Sequence, residues 1–120
     1  METILFLIGR IIFGGYFLLN GINHMKNHKG ITLYAASKKT PVPGFAAFVS
    51  GLLILLGGVG IIFWMYPKIS LILISVFLFF VTLQMHRFWE SADQERRMTE
   101  KINFLKNFAL FGAALIMFSV

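Results

Sequence analysis

Four long apolar segments constrain the fold of this chain more than any other feature. They cover about residues 4–25, 43–65, 67–89 and 102–120. Each approaches the roughly 20 residues that an α-helix needs to cross about 30 Å of hydrocarbon. Backbone amides and carbonyls in lipid must pair within the chain, which favours helices over irregular structure. The sequence therefore predicts an all-α, four-helix transmembrane bundle that forms one domain of 120 residues.

The connection between the second and third segments, residues 65–68, is so short that these two helices must be antiparallel neighbours. Composition agrees with a membrane protein, because 58% of the residues are apolar and only 13% are charged. Small or polar residues recur in each segment at alternating spacings of four and three, a pattern by which helices pack together in lipid. We expect one bundle in contact with the bilayer and no soluble catalytic domain.

The basic residues lie mainly in two loops, residues 26–42 and 90–101. The positive-inside rule places both loops in the cytoplasm and both termini outside. The formal net charge of +6 then indicates orientation and contact with anionic lipids. No basic face or nucleic-acid motif accompanies this charge, so nucleic-acid binding is not expected.

Several kinds of chemistry are excluded or disfavoured by residue types. The chain has no cysteine, which excludes thiolate nucleophiles and Cys-ligated metal centres within it. His24 and His28 have the i, i+4 spacing of a metal pair, but no carboxylate or thiol accompanies them, so no metal site is expected. No Asp or Glu falls within the four predicted helices, which argues against a carboxylate proton relay or cation-coupled transport.

Polar side chains gather where the apolar segments meet the two basic loops. At 100° per residue, Asn20 and His24 lie on one face of the first helix. They can therefore share a pocket with His86 of the third helix and Asn107 of the fourth. Gln84 lies opposite His86 on its helix and is expected to face elsewhere.

Such a cluster, an imidazole among neutral amides at the lipid interface, suits the carbonyl head group of a quinone. His86 could donate a hydrogen bond to a quinone oxygen and transfer a proton. Trp89, one turn later, could stack on the ring at the rim of the pocket or anchor the helix at the interface. The alternative for His86 and Asn107 is hydrogen bonding between helices. Lys106 is expected to reach towards anionic head groups.

Arg10 lies about 9 Å inside the first helix and has no acidic residue in the other segments to pair with. Two partners are open. Either the guanidinium binds the terminal carboxylate of Val120 and ties the first helix to the fourth, or it reaches lipid phosphate.

A series of short motifs resembles the DoxX family over almost the entire chain. The motifs are Gly9 and Arg10, NGINH at 20–24, YAASK at 34–38, PVP at 41–43, the glycine run 51–58, MHRFW at 85–89 and FLKNFAL at 104–110. The resemblance implies a four-helix protein of the bacterial or archaeal cytoplasmic membrane, in bacteria the inner membrane. It also implies a link to redox chemistry, because the family is named for a subunit of a thiosulfate:quinone oxidoreductase.

Two functional hypotheses follow, and whether the chain is itself an enzyme stays open. The first is a membrane subunit of a redox complex that binds quinone through His86, Asn107, His24 and Asn20, with Trp89 at the rim. The second, also consistent with the family, is a non-catalytic scaffold or chaperone whose cytoplasmic loops dock other proteins. A pocket lined by the polar cluster and open to lipid favours quinone binding, whereas a filled bundle core favours the scaffold.

Overall fold

The computed structural model of the chain describes residues 3–85, 88–90 and 93–120. These residues form helices and no strand, which confirms the all-α prediction. The helices are α1 (Thr3–Lys26), α2 (His28–Ser37), α3 (Pro43–Phe63), α4 (Pro67–Met85) and α5 (Gln94–Ser119), with a short 3₁₀ turn at Phe88–Glu90. By length and hydropathy, α1, α3, α4 and α5 could each cross a membrane.

The four long helices are arranged in a row that curves around a cavity. α1 packs mainly on α3, α3 on α4, and α4 on α5, while α2 lies against α3. α3 and α4 are antiparallel neighbours across residues 64–66, as the short connection predicts. We call the end that carries α2 and the start of α5 the loop end, and the opposite end the terminal end.

Two boundaries differ from the sequence prediction. The first basic loop contains α2, a helix of 10 residues. The sequence analysis did not predict this helix, because its residues are of mixed polarity. The last helix begins at Gln94, capped by the carboxylate of Asp93, rather than near residue 102. The second loop is therefore mostly helix, and α5 is about 39 Å long. Because Glu95 and Glu100 lie in α5, the expectation that no helix contains a carboxylate is wrong.

The interface between α1 and α3 is close enough to exclude side chains at its crossing point. A Cβ placed on Gly58 would lie 2.6 Å from the backbone nitrogen of Leu18 and 2.7 Å from the carbonyl oxygen of Gly14. Small residues allow this approach, which is how helices associate in lipid. The core continues from this crossing towards α4 and α5 through the buried side chains Phe17, Ile54, Ile61, Leu71, Ile74, Leu78 and Ala114.

Arg10 has a partner that the sequence analysis did not consider. Its Nε and Nη2 donate to the backbone carbonyl of Ile62, at 3.3 and 2.9 Å. That carbonyl belongs to the last turn of α3, where no later amide is available to bond it. Val120 is 84% exposed, and the Nζ of Lys68 donates to the carbonyl of Phe118 at that end of α5. The structure thus corrects the expected link between Arg10 and Val120.

Candidate functional site

A cavity of about 490 Å³ lies at the loop end, between the faces of α1, α3, α4 and α5 and beneath α2. Apolar side chains make most of its wall, including Phe17, Leu53 and Phe77. The row-like packing explains the cavity, because α1 and α5 do not pack closely against each other. Its polar lining includes Tyr16, Asn20, His24, Tyr34, Thr40, Ser50, Gln84, Lys106 and Asn107.

Asn107 is the most deeply placed amide in this lining. It lies in the second half of α5, its side chain is 7% exposed, and it borders the cavity. Its side chain makes no hydrogen bond to another described residue, and its polar atoms are not among those fully buried without a partner, so they border the open space of the cavity. The side chain therefore offers both donor and acceptor atoms to whatever enters the cavity.

Asn20 and His24 lie one turn apart on α1 and both line the cavity. Nδ1 of His24 lies 3.0 Å from the carbonyl oxygen of Asn20. Because a carbonyl oxygen only accepts, Nδ1 carries the hydrogen in this bond, which leaves Nε2 of the neutral ring as an acceptor. The ring also packs edge-on against Phe77 of α4, 6.0 Å between centroids. Close contact with Gly51, whose added Cβ would lie 2.6 Å from that of His24, fixes its backbone position.

Gln84 faces the cavity and not away from it, which corrects the expectation from its helical position. Its Nε2 donates to the carbonyl of Lys38 at 3.1 Å and to Oγ1 of Thr40 at 3.5 Å. The helical-wheel argument failed because residues 38–40, at the end of α2, fold back over α4. Gln84 thereby holds the end of α2 over the cavity.

Lys106 also lines the cavity, next to Asn107 on α5. Its Nζ lies 5.6 Å from the ring centroid of Tyr16 on α1, within the range of a cation–π contact. Both residues are exposed on their outer sides. The pair therefore spans the gap between the two outer helices of the row, at the edge of the cavity.

The remaining two predicted residues do not contribute described contacts to the site. His86 lies outside the described residues. Trp89 is half-exposed, and its ring lies 5.2 Å from that of Phe88 and 5.6 Å from that of Phe104. Trp89 lies in the 3₁₀ turn after α4 and is not among the residues that line the cavity. The position of Trp89 at the rim of the pocket therefore stays a prediction, beside its alternative as an interface anchor.

A cluster that the sequence analysis missed joins α2 to α5 beside the cavity. Glu100 is 5% exposed, forms an ion pair with Lys38, and accepts the hydroxyl of Tyr34 at 3.2 and 3.3 Å. Burial first, then the Glu100 carboxylate, raises the pKa of Tyr34 to about 12. The resemblance motif YAASK contains both Tyr34 and Lys38. The sequence did not show that these residues belong to or follow a helix, so it gave no reason to pair them with residue 100.

The two histidines of the i, i+4 pair each bond a backbone carbonyl. Nε2 of His28 lies 3.0 Å from the carbonyl oxygen of Gly44, just as His24 bonds Asn20. In the ranges that the structure covers, no group of three His, Cys, Asp or Glu side chains is placed to hold a metal ion.

The fold and the four apolar helices define a multi-pass helical membrane protein. A sequence model of the DoxX family matches residues 5–87, from the start of α1 to just beyond α4. The chain belongs to the DoxX family. No curated protein and no solved structure shows significant similarity to it.

Proposed function

We propose that the protein is a membrane subunit of a redox complex and that its loop-end cavity binds the head group of a quinone. The single observation that carries the proposal is Asn107, a buried amide that faces the cavity and has no partner among the described residues. The link to redox chemistry comes from the name of the family and not from a residue of this chain. The argument for quinone binding is therefore made from the size and lining of the cavity.

Size and location suit a lipophilic ligand. A volume of about 490 Å³ lies within the usual range of small-molecule sites. The wall is mostly apolar and the cavity lies between helices that are apolar enough to span a membrane. An apolar molecule with a small polar head group therefore fits the cavity.

The polar groups suit a head group that alternates between carbonyl and hydroxyl. The amide of Asn107 can donate to a quinone carbonyl, and Lys106 beside it supplies a positive charge. Nε2 of His24, left as an acceptor by the bond of Nδ1 to Asn20, can receive a quinol hydroxyl. His86 and Asn20 stay predicted ligands of the head group, and Nδ2 of Asn20 already donates to the carbonyl of Tyr16 at 2.8 Å. Asn107 carries the proposal, and His24 supports it.

Equilibrium binding of a short-chain quinone to the purified protein in lipid nanodiscs tests the proposal. We expect Asn107→Leu to weaken binding about tenfold, the equivalent of one lost hydrogen bond. Asn23→Leu is the matched control, because Asn23 is exposed and does not line the cavity. Equal binding by wild type and both variants, or no binding by any of them, would contradict the proposal.

Because the chain contains no cysteine, any thiol chemistry of the complex must belong to another subunit. We propose that such a partner docks on the loop end. The first turns of α5 support this, because Glu95, Arg96 and Arg97 are exposed on a helix that is tied to α2. Charge reversal at Arg96 and Arg97 should abolish copurification of the partner from native membranes and leave quinone binding unchanged. Copurification by the doubly reversed variant would exclude this surface.

We further propose a bacterial or archaeal cytoplasmic membrane, with the loop end in the cytoplasm and the termini outside. The absence of cysteine supplies a clean background for testing it. A cysteine introduced at the exposed Lys29 should resist an impermeant maleimide in intact cells, whereas one at the exposed Tyr66 should react. The opposite labelling pattern would reverse the orientation.

A further inference from the structure

A second pocket, polar in character, lies at the loop end beside the cavity. It measures about 580 Å³ and is formed by the end of α2 and the first turns of α5, with Lys38, Arg96, Glu100 and Asn103 in its lining. We call it the polar pocket. Tyr34 lines both the polar pocket and the cavity. Its side chain therefore stands in the wall between an aqueous surface and a membrane site.

Glu100 is the buried acid of this wall. Its side chain is 6% exposed, borders the polar pocket, and accepts a hydrogen bond from the Tyr34 hydroxyl at 3.2 and 3.3 Å. Among the described residues that line the cavity itself there is no aspartate or glutamate. The Tyr34 hydroxyl therefore links the Glu100 carboxylate to the cavity.

We propose that Glu100 and Tyr34 carry protons from the polar pocket into the cavity, an inference that rests on the proposed quinone binding. A quinone that accepts two electrons from a one-electron donor must also take two protons, one on each oxygen, to become the quinol. For each proton, Glu100 is protonated from water in the polar pocket and donates to the hydroxyl oxygen of Tyr34. The hydroxyl proton of Tyr34 passes at the same time to the reduced quinone oxygen.

This step balances, because each O–H bond that breaks is replaced by one that forms and both residues return to their starting state. A hydroxyl group suits the role, since it donates and accepts at once. Tyr34 also stays neutral near pH 7, because burial and Glu100 raise its pKa to about 12. Once Glu100 has donated its proton, its carboxylate is paired with Lys38 again.

The alternative is that the cluster only holds α2 against α5. The two roles are separated by reducing the quinone-loaded protein in nanodiscs with reduced methyl viologen, which supplies electrons and no protons. Two viologen radicals, two protons and one quinone give two oxidised viologens and one quinol. The first electron can add to the quinone without a proton, but the second adds to the semiquinone together with one. The second half of the viologen decay in a stopped-flow instrument therefore reports the rate at which protons reach the bound quinone.

We expect Tyr34→Phe and Glu100→Gln to slow this rate about a hundredfold, the usual contribution of a positioned acid, when each protein is saturated with quinone. Formate, a small diffusible acid, should restore much of the rate in both variants. Tyr66→Phe is the matched control, because Tyr66 is 74% exposed at the terminal end. Tyr34→Phe keeps the ring and its packing, so it tests the hydroxyl even if Glu100→Gln fails to fold.

Wild-type rates in Tyr34→Phe would overturn the relay and leave the quinone site intact. A slow rate that formate does not restore would also overturn it, because the cluster would then act only through structure. Failure of the wild-type protein to bind quinone would instead remove the proposed function, and the relay with it. The affinity measurement distinguishes this result from the other two.

Discussion

At the scale of single residues, the protein places polar groups in its membrane-spanning helices and gives most of them backbone partners. Arg10 bonds the carbonyl of Ile62 at the end of α3, and His24 bonds the backbone carbonyl of Asn20 within α1. These pairings reduce the cost of a polar group away from water. Asn107 differs, because it is buried and makes no bond to another described residue.

Replacing Asn107 separates a ligand-binding role from a structural one. If the amide serves a ligand, Asn107→Leu in the quinone-free protein should be close to neutral, since no hydrogen bond to another described side chain or backbone group is lost. Thermal unfolding in detergent measures this. A loss of more than about 1 kcal/mol would indicate that Asn107 holds helices together.

Arg10 should matter for stability and the C-terminus should not. Arg10→Leu removes two charge-assisted bonds to Ile62, and we expect a loss of about 1.5–3 kcal/mol. Residues appended after the exposed Val120 should leave the melting temperature unchanged. Melting of the two proteins side by side checks both statements. If appended residues destabilise the protein as much as Arg10→Leu does, Arg10 pairs with the terminal carboxylate after all.

Helical periodicity predicted part of the site at this scale. Asn20 and His24 share a face because four residues advance a helix by about one turn, and Asn107 follows from its depth in the last apolar segment. Tyr34 and Glu100 could not be paired in this way, because their contact depends on α2 and on the early start of α5. Neither boundary has a strong apolar signal.

At the scale of elements, the contact between α1 and α3 determines how close the row of helices can pack. Gly58→Ala should destabilise the protein by about 1–3 kcal/mol, because the new Cβ would meet the backbone of α1 at 2.6 Å. Gly15→Ala is the matched control on α1, where nothing lies within 4 Å of the added Cβ. Thermal unfolding should show a lower melting temperature for Gly58→Ala than for Gly15→Ala. Equal stabilities would mean that α1 and α3 are farther apart.

The attachment of α2 should depend on pH through Tyr34. Its folded pKa of about 12 lies above the usual value of 10, so its contribution to stability is fully present below pH 10 and is lost as pH rises towards 12. The melting temperature of wild type should therefore fall more steeply across this interval than that of Tyr34→Phe. Parallel curves would show that Tyr34 ionises as it does in the unfolded chain.

At the scale of the whole molecule, hydropathy and length were enough to predict four spanning helices. They could not predict the cavity, since it arises from the order α1–α3–α4–α5, in which the two outer helices barely meet. Apolar segments have no sequence signal that states which pairs pack and which leave a gap. That order is what brings Asn20 and His24 of α1 opposite Asn107 of α5.

The central claim is that a quinone head group occupies this cavity. Photolabelling with an azidoquinone in nanodiscs, followed by mass spectrometry of the peptides, tests it most directly. The account predicts label on the loop-end halves of α1 and α5, at residues that line the cavity such as Tyr16 and Lys106, and competition by unmodified quinone. Label spread over the lipid-facing surface, or concentrated at the terminal end near Phe63 and Lys68, would contradict it.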